Sequence, residues 1–140
     1  MKISTKGKYA LTIMSYLARN YESKRYISLK EISEEENISF KYLEKIMISL
    51  NKNNYLDVAR GNNGGYRLSK EPSEYKIGDI LRKAEGDLAP IDCINEECDK
   101  KDKCEKYIFW QGLYNEINNY VDNKTLEDYI GGVSNESIKD

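Results

Sequence analysis

Two helix-start signals separated by one short turn are the feature that most constrains how this chain folds. Ser28 can accept a hydrogen bond from the first turn of a helix, and Glu31 can reach back to it. Ile27 and Ile32 can pack together across the same helix start. This helix is predicted to be short, because Asn37-Ile38-Ser39 offers a new turn and a second cap.

The helix that follows has an apolar stripe and a polar outward face. It is predicted from Ser39 to about Asn53. Its apolar residues at helical spacing are Leu43, Ile46, Met47 and Leu50. Its opposite face carries Lys41, Glu44, Lys45 and Lys52. Two short helices joined by a tight turn, the second with a polar face, are typical of a helix-turn-helix.

A hairpin is predicted directly after these two helices. Residues 55–58 and 66–68 have strand character, and the Asn- and Gly-rich residues 60–65 between them tolerate the positive φ of a tight turn. A hairpin in this position is a wing. Amphipathic helices are predicted before and after this unit, at residues 8–20 and 77–84. The fold class is therefore mainly α with a small β wing: a winged helix-turn-helix.

A longer helix is predicted from about Cys104. Its apolar residues are Phe109, Trp110, Leu113, Ile117, Tyr120 and Val121. Thr125 can cap a final short helix over residues 126–130. Too little chain remains to cover the apolar face, so a second copy in a closed two-fold dimer is expected to cover it. The alternative is that this face packs on its own winged domain.

These elements predict four segments. Residues 1–85 form the DNA-binding winged domain, residues 86–104 a cysteine-rich loop, residues 105–131 the dimerisation helices and residues 132–140 a disordered polar tail. No run of about eighteen apolar residues and no signal peptide are present, so we expect a cytoplasmic protein with no membrane partner.

The charge is distributed unevenly along the chain. Residues 1–60 hold eleven Lys and Arg against seven Asp and Glu, a balance of +4. Residues 61–140 hold eleven against seventeen, a balance of −6. A basic front and an acidic back suggest a polyanionic partner for the first part alone, whereas the plainer interpretation is a solvated basic helix face.

Three cysteines, Cys93, Cys98 and Cys104, lie in twelve residues of a chain with no other cysteine and no histidine. An odd number of thiols is a poor disulfide framework. Thiolates are soft ligands that select zinc, Cu(I) or an iron–sulfur cluster. The chain has neither a histidine nor a phosphate-binding loop of the nucleotide-binding kind, so an enzyme is not expected.

Four motifs together resemble one family of bacterial regulators. They are Met1-Lys-Ile-Ser-Thr-Lys-Gly-Lys-Tyr-Ala10, Ile38-Ser-x-x-Tyr-Leu-Glu-Lys45, Arg60-Gly-x-x-Gly-Gly-Tyr66 and Ile77-Gly-Asp-Ile80. The family includes the iron–sulfur-cluster regulator (IscR), whose pattern is most similar, the nitric-oxide-sensing repressor (NsrR) and the cysteine-metabolism repressor (CymR). The resemblance covers about residues 1–131. It implies a homodimeric winged-helix transcription regulator, expected to be a repressor, that binds a palindromic DNA operator.

In a helix-turn-helix, residues near the start of the second helix face base edges in the major groove. The residues that we expect there are Ser39, Lys41, Glu44 and Lys45. A lysine suits guanine, and a carboxylate such as Glu44 accepts from cytosine N4, although Glu44 could instead pair with Lys41 or Lys45. The remaining expected contacts are Arg60 in a narrowed minor groove, Gly61 at close backbone approach, and Lys6 and Lys8 on phosphates.

The resemblance also implies that the three cysteines hold an iron–sulfur cluster, with [2Fe–2S] favoured and [4Fe–4S] as the alternative. The fourth ligand is unknown: Tyr107 stands where some members have a histidine, and Lys8 where others have an aspartate. The candidates are an exogenous ligand or one of Asp92, Glu97, Asp99, Asp102, Glu105 and Tyr107. The other interpretations are a zinc or thiol switch, a protein effector and, with the least support, an electron-transfer protein.

Overall fold

The computed structural model describes residues 3–94 and 105–131 of the 140-residue chain, with Cys93 described in its backbone alone. In order, the elements are α1 (Thr5–Arg19), α2 (Leu29–Glu36), α3 (Phe40–Leu50), β1 (Leu56–Ala59), β2 (Gly65–Leu68), α4 (Ile77–Glu85), α5 (Glu105–Asp122) and α6 (residues 126–131). This order confirms the mainly α fold with a two-stranded wing. The predicted disordered tail and most of the cysteine-rich loop lie outside the described residues.

Helix α1 occupies the centre of the molecule. Its buried face consists of Ala10, Ile13, Met14, Ser15, Leu17 and Ala18, with Gly7 at its beginning. The same core receives Leu43 from α3, Ile80 from α4 and Leu126 from α6, each fully buried. The last helix therefore packs on the winged domain of its own chain.

The helix-turn-helix forms where the caps predict it. The Ser28 hydroxyl accepts from the backbone N–H of Glu31 at 3.1 Å, and the Ser39 hydroxyl accepts from that of Tyr42 at 3.4 Å. Between them, Asn37 ends α2 in the left-handed conformation at φ 55°. The prediction that the Glu31 side chain reaches back to Ser28 is wrong, because Arg25 and Tyr16 donate hydrogen bonds to that carboxylate instead.

Two predicted helix boundaries are corrected. Helix α1 begins at Thr5 instead of Lys8, because the Ser4 hydroxyl accepts from the Lys6 N–H at 3.2 Å and caps an earlier turn. Helix α3 ends at Leu50 instead of about Asn53, since Asn53 has a φ of 61° that a right-handed helix excludes.

The wing is an antiparallel pair in which Leu56 faces Leu68 and Ala59 faces Gly65. Ile27, just before α2, exchanges two backbone hydrogen bonds of 2.8 Å with Tyr66. A side chain at Gly65, which has a φ of 151°, would place its Cβ 2.3 Å from the Ile27 carbonyl oxygen. Glycine at this position therefore lets the wing pack directly on the start of the helix-turn-helix.

The C-terminal helices are joined to α4 by backbone and side-chain contacts. Ile77 donates to the Lys124 carbonyl at 2.9 Å, and Leu126 donates to the Tyr75 carbonyl at 2.8 Å. Thr125 caps α6 as predicted, because its hydroxyl accepts from the Asp128 N–H at 3.1 Å. Among the described residues, no helix combines the length and the apolar character needed to cross a membrane.

Candidate nucleic-acid interface

The outward face of α3 carries the residues expected to read bases. Leu43, Ile46, Met47 and Leu50 are buried against the core. The opposite side exposes Ser39, Lys41, Glu44 and Lys45. Since the cap at Ser39 fixes where the helix begins and the core fixes its rotation, the sequence places these four side chains together on one solvent-facing surface.

The beginning of α1 lies beside this surface. The Tyr9 and Tyr42 rings meet edge to face, with centroids 5.4 Å apart, and so fix α1 against α3. Lys6 and Lys45 line one small depression of 160 Å³. Lys8 is exposed one helical turn from the cap at Ser4. The two lysines expected on phosphates therefore extend the basic surface of α3.

Glu85, at the end of α4, holds the beginning of α1 in place. Its carboxylate accepts from the Ser4 hydroxyl and, at 2.8 Å, from the Gly7 backbone N–H. A negative charge at a helix N-terminus also complements the helix dipole. No sequence motif indicated this contact, which joins residues 78 positions apart.

The wing presents Arg60 and Gly61 to solvent. Gly61 has a φ of 103° and its carbonyl accepts from the Gly64 N–H at 3.0 Å, so the tip is a tight turn. Arg67 supports the base of the hairpin: it donates to the Lys24 carbonyl at 2.6 Å and lies 4.3 Å from the centre of the Tyr26 ring. These contacts join the base of the wing to the segment that precedes α2.

The positive charges on this surface are not neutralised within the described part of the chain. Over residues 3–94 and 105–131, ion pairs engage Arg19, Arg25, Arg67 and Arg82, but not Lys6, Lys8, Lys41, Lys45 or Arg60. Within the same residues Glu44 forms no ion pair, so it is not paired with Lys41 or Lys45. The surface can therefore offer free cations to a polyanion.

Two outward-facing residues of α3 were not in the predicted set. Phe40 is 44% exposed and Ile48 is 71% exposed. Both lie four residues from Glu44, so they share its side of the helix. The sequence signal was present, since both fall outside the stripe of Leu43, Ile46, Met47 and Leu50.

The cysteine-rich loop is described only at its two ends. Cys98 and Cys104 lie outside the described residues, and the backbone of Cys93 lies in the 3-10 turn Asp92–Ile94. At the entry, the Asp87 carboxylate accepts from the Tyr114 hydroxyl at 3.0 Å, and Leu88 is buried. These contacts fix the beginning of the loop against α5 and the core.

The described residues do not complete a metal site. Within residues 3–94 and 105–131, no three His, Cys, Asp or Glu side chains are grouped as metal ligands. Of the candidate fourth ligands, Asp92 and Glu105 are exposed and Tyr107 is partly buried. Glu97, Asp99 and Asp102 lie outside the described residues.

Some apolar residues of α5 pack against their own chain and others are exposed to solvent. Ile117 and Val121 pack against the core of their own chain, together with Tyr114. Ile108, Phe109, Leu113 and Tyr120 are exposed. Two of the four residues expected on one intersubunit face, Ile117 and Val121, thus also contact the core of their own subunit. The intersubunit face through Phe109, Leu113, Ile117 and Val121 stays a prediction.

Comparison with known proteins agrees with this arrangement. Residues 3–132 match the model of the Rrf2 family, described as an iron-dependent transcriptional regulator. The transcriptional regulator CymR of Bacillus subtilis is 37% identical over 128 residues, which are 91% of this chain and 88% of that protein. The regulator IscR of Escherichia coli is 31% identical over 131 residues, 93% of this chain and 80% of that protein.

Solved structures agree at the level of the whole fold. The structure of CymR, described as the global cysteine regulator of B. subtilis, superposes with a TM-score of 0.77 at 35% identity, over 94% of this chain and 97% of that one. The structure of T. potens IscR superposes with a TM-score of 0.74 at 29% identity, over 95% of this chain and 88% of that one.

Proposed function

The chain belongs to the Rrf2 family of transcriptional regulators, and from that premise we propose that it is a homodimeric, sequence-specific DNA-binding repressor. We further propose that its DNA binding is controlled by an iron–sulfur cluster on Cys93, Cys98 and Cys104. The observation that carries the DNA-binding part is that Lys6, Lys8, Lys41 and Lys45 are exposed around the outward face of α3 and form no ion pairs within residues 3–94 and 105–131.

In this proposal α3 lies in the major groove, with its first turns toward the bases. Lys41 and Lys45 donate to guanine O6 or N7, and Glu44 accepts from cytosine N4. A carboxylate near phosphates is repelled unless it finds such a donor, so Glu44 rejects sites that lack the cytosine. Ser39 is within reach of the same edge, beside the start of the helix.

The remaining contacts position the protein on the duplex. Arg60 enters an adjacent minor groove narrowed by A·T pairs, and Gly61 brings the backbone close. Lys6 and Lys8 contact phosphates, which fixes register without reading sequence. The Glu85 contacts support this role, because they hold the beginning of α1, which carries Lys6 and Lys8, against α4. The contact between Tyr9 and Tyr42 holds α1 against α3.

The dimer forms through the exposed half of α5, in which Ile108, Phe109 and Leu113 are available to a second copy. Phe109 and Trp110 form an edge-to-face pair with centroids 5.0 Å apart, a preformed aromatic surface near the loop. A two-fold dimer places two α3 helices at equivalent positions, which requires a palindromic site.

Three thiolates suit an iron–sulfur cluster better than a structural zinc site, because zinc sites favour closely paired ligands that this spacing lacks. A bound cluster would supply a group that depends on iron and reacts with oxygen or nitric oxide. The chain's own part would be to hold it through Cys93, Cys98 and Cys104; the first of these lies in the 3-10 turn Asp92–Ile94, next to the buried Ile94. The fourth ligand would be a carboxylate, the Tyr107 phenolate or an exogenous group.

A second candidate function follows from the likeness to CymR, which is described as a global cysteine regulator. In that case the thiols themselves, or a protein effector, carry the signal. A zinc or oxidation switch on the same three cysteines belongs to this candidate. The DNA-binding surface is the same in both functions, so only the loop distinguishes them.

The experiment has two parts. Protein purified without oxygen is analysed for colour, iron and sulfide, and is used to select sites from randomised duplex DNA. We expect coloured protein that loses colour with serine at Cys93, Cys98 or Cys104, together with a palindromic site. Glu44→Ala should relax base preference at one position per half-site. Colourless protein with zinc or free thiols would favour the second candidate, and protein that selects no site would contradict DNA reading.

A further inference from the structure

We infer that Ile48 determines operator specificity by contacting the C5-methyl group of a thymine, and the inference rests on the proposed DNA-binding function. Ile48 is 71% exposed, although isoleucine is among the residues most often fully buried. A single exposed apolar residue is ordinary on most protein surfaces. The position of Ile48 on α3 is what distinguishes it.

Ile48 lies near the centre of the outward face of α3. At 3.6 residues per turn it is rotated about 40° from Glu44 and about 60° from Lys45, so it falls between them when the helix is viewed along its axis. All three side chains point away from the buried stripe. A side chain in this position faces whatever Glu44 and Lys45 face.

The flanking charges indicate which occupant covers Ile48. Lys41, Lys45 and Lys6 surround the face and form no ion pairs within the described residues. Such a surface repels a basic protein patch and attracts a polyanion. Ile48 and Glu44 also form one wall of a depression of 340 Å³ that Tyr66 of the wing closes on the other side. Duplex DNA bound between α3 and the wing would cover this depression.

Within the major groove, one apolar group distinguishes the bases, and it is the thymine C5-methyl. Asparagine, lysine and glutamate side chains cannot read it, whereas a branched aliphatic side chain can. Glu44 and Ile48 are about 6 Å apart along the helix, or about two base-pair steps. The operator should therefore contain a thymine about two base pairs from the cytosine that Glu44 reads.

Phe40 is the natural comparison, because it lies on the other side of Glu44 by four residues. It is 44% exposed and rotated toward the buried stripe, beside Met47. Its ring is therefore partly covered by its own chain. We assign the methyl contact to Ile48, since its side chain is the more exposed and the more central.

The test removes the methyl group from the DNA and the branched side chain from the protein. In the selected duplex, each thymine is replaced in turn by deoxyuridine, which lacks only the C5-methyl group. Binding is measured for the wild type, Ile48→Ala and Ile48→Val. Val58→Ala is the matched control, because Val58 is a β-branched residue of the wing that is 48% exposed.

Deoxyuridine at one position of a half-site should weaken DNA binding by the wild type about fourfold, which corresponds to the loss of one buried methyl group. Ile48→Val and Val58→Ala should show the same loss. Ile48→Ala should bind thymine and deoxyuridine equally at that position. The inference alone would be overturned if deoxyuridine weakened binding equally in Ile48→Ala and the wild type. It would also be overturned if no thymine in the duplex could be replaced by deoxyuridine with a loss of wild-type binding. A wild type that binds no duplex would overturn the proposed function as well, and an Ile48→Ala variant that loses self-association would assign the face to a second copy.

Discussion

Arg82 of α4 donates two hydrogen bonds to the carboxylate of Asp122 at the end of α5, with N–O distances of 2.7 and 3.0 Å. The same guanidinium donates to the Asn118 side-chain oxygen at 2.8 Å. The pairing raises the pKa of Arg82 and lowers the pKa of Asp122. Gly78 permits the approach, because a Cβ there would lie 2.0 Å from an Asp122 oxygen. This ion pair therefore adds to the backbone hydrogen bonds of Ile77 and Leu126 in joining the C-terminal helices to the winged domain.

Arg82→Ala should lower the free energy of unfolding by about 1–2 kcal/mol, because it removes two hydrogen bonds to Asp122 and one to Asn118 in a partly exposed site. Asp122→Ala should cost a similar amount, and the double variant should cost less than the sum of the two. Chemical denaturation measures these values. Arg19→Ala is the control: its single, more exposed bond to Glu36 should be worth less than about 1 kcal/mol. Additive effects at Arg82 and Asp122 would show that the pair contributes nothing.

Glu85→Ala should loosen the beginning of α1 and weaken DNA binding, because the Ser4 hydroxyl and the Gly7 N–H lose their acceptor. The expected cost in stability is about 1–2 kcal/mol. Amide hydrogen exchange at Gly7 reports the local opening directly. Glu36→Ala, which removes an exposed ion pair alone, should leave exchange at Gly7 unchanged. Unchanged exchange in Glu85→Ala would show that this carboxylate does not hold the Gly7 N–H at the beginning of α1.

Because Arg25 and Glu31 form an ion pair, the free energy of unfolding should depend on pH in the acidic range. Hydrogen bonds from Arg25 lower the pKa of Glu31 from 4.5 to about 2. A carboxyl group with a lowered pKa in the folded state stabilises the fold above its unfolded pKa, and this contribution is lost as the pH falls toward about 2. The stability difference between wild type and Glu31→Gln should therefore shrink between about pH 5 and pH 2. A difference that stays constant across this range would contradict the pairing.

Phe109→Asp should dissociate the proposed dimer without unfolding the subunit, because Phe109 is 64% exposed on the first half of α5. Ile117→Asp should instead lower the stability of the subunit, since Ile117 packs against its own core. Sedimentation velocity and thermal unfolding separate these two outcomes. A Phe109→Asp protein that still sediments as a dimer would place the interface elsewhere.

The helix-turn-helix and the wing could be predicted because their signals are local. Ser28, Ser39 and Thr125 each cap a helix within three residues, and apolar spacing reveals the buried stripe of α3. The Glu31 side chain was misassigned because Arg25 offers a charged partner, which competes successfully with a backbone N–H.

The contacts that join the elements could not be predicted in the same way. Glu85 meets Gly7 across 78 positions, and Arg82 meets Asp122 across 40. An amphipathic pattern likewise identifies an apolar face in α5 but not which residues of it face the subunit's own core. Ile48 was overlooked for a different reason: an apolar residue in a helix is usually assigned to the core, although its spacing placed it outside.

The most direct test of the central claim is the salt dependence of binding to the selected duplex, measured for the wild type and for the Lys6→Ala, Lys8→Ala variant. The affinity should fall linearly with salt on logarithmic axes, and the variant should reduce the slope by about one for each phosphate contact that it removes. Lys106→Ala, which changes an exposed lysine on α5, should leave the slope unchanged. A wild-type affinity independent of salt, or a slope that the variant does not alter, would contradict the assignment of this surface to DNA.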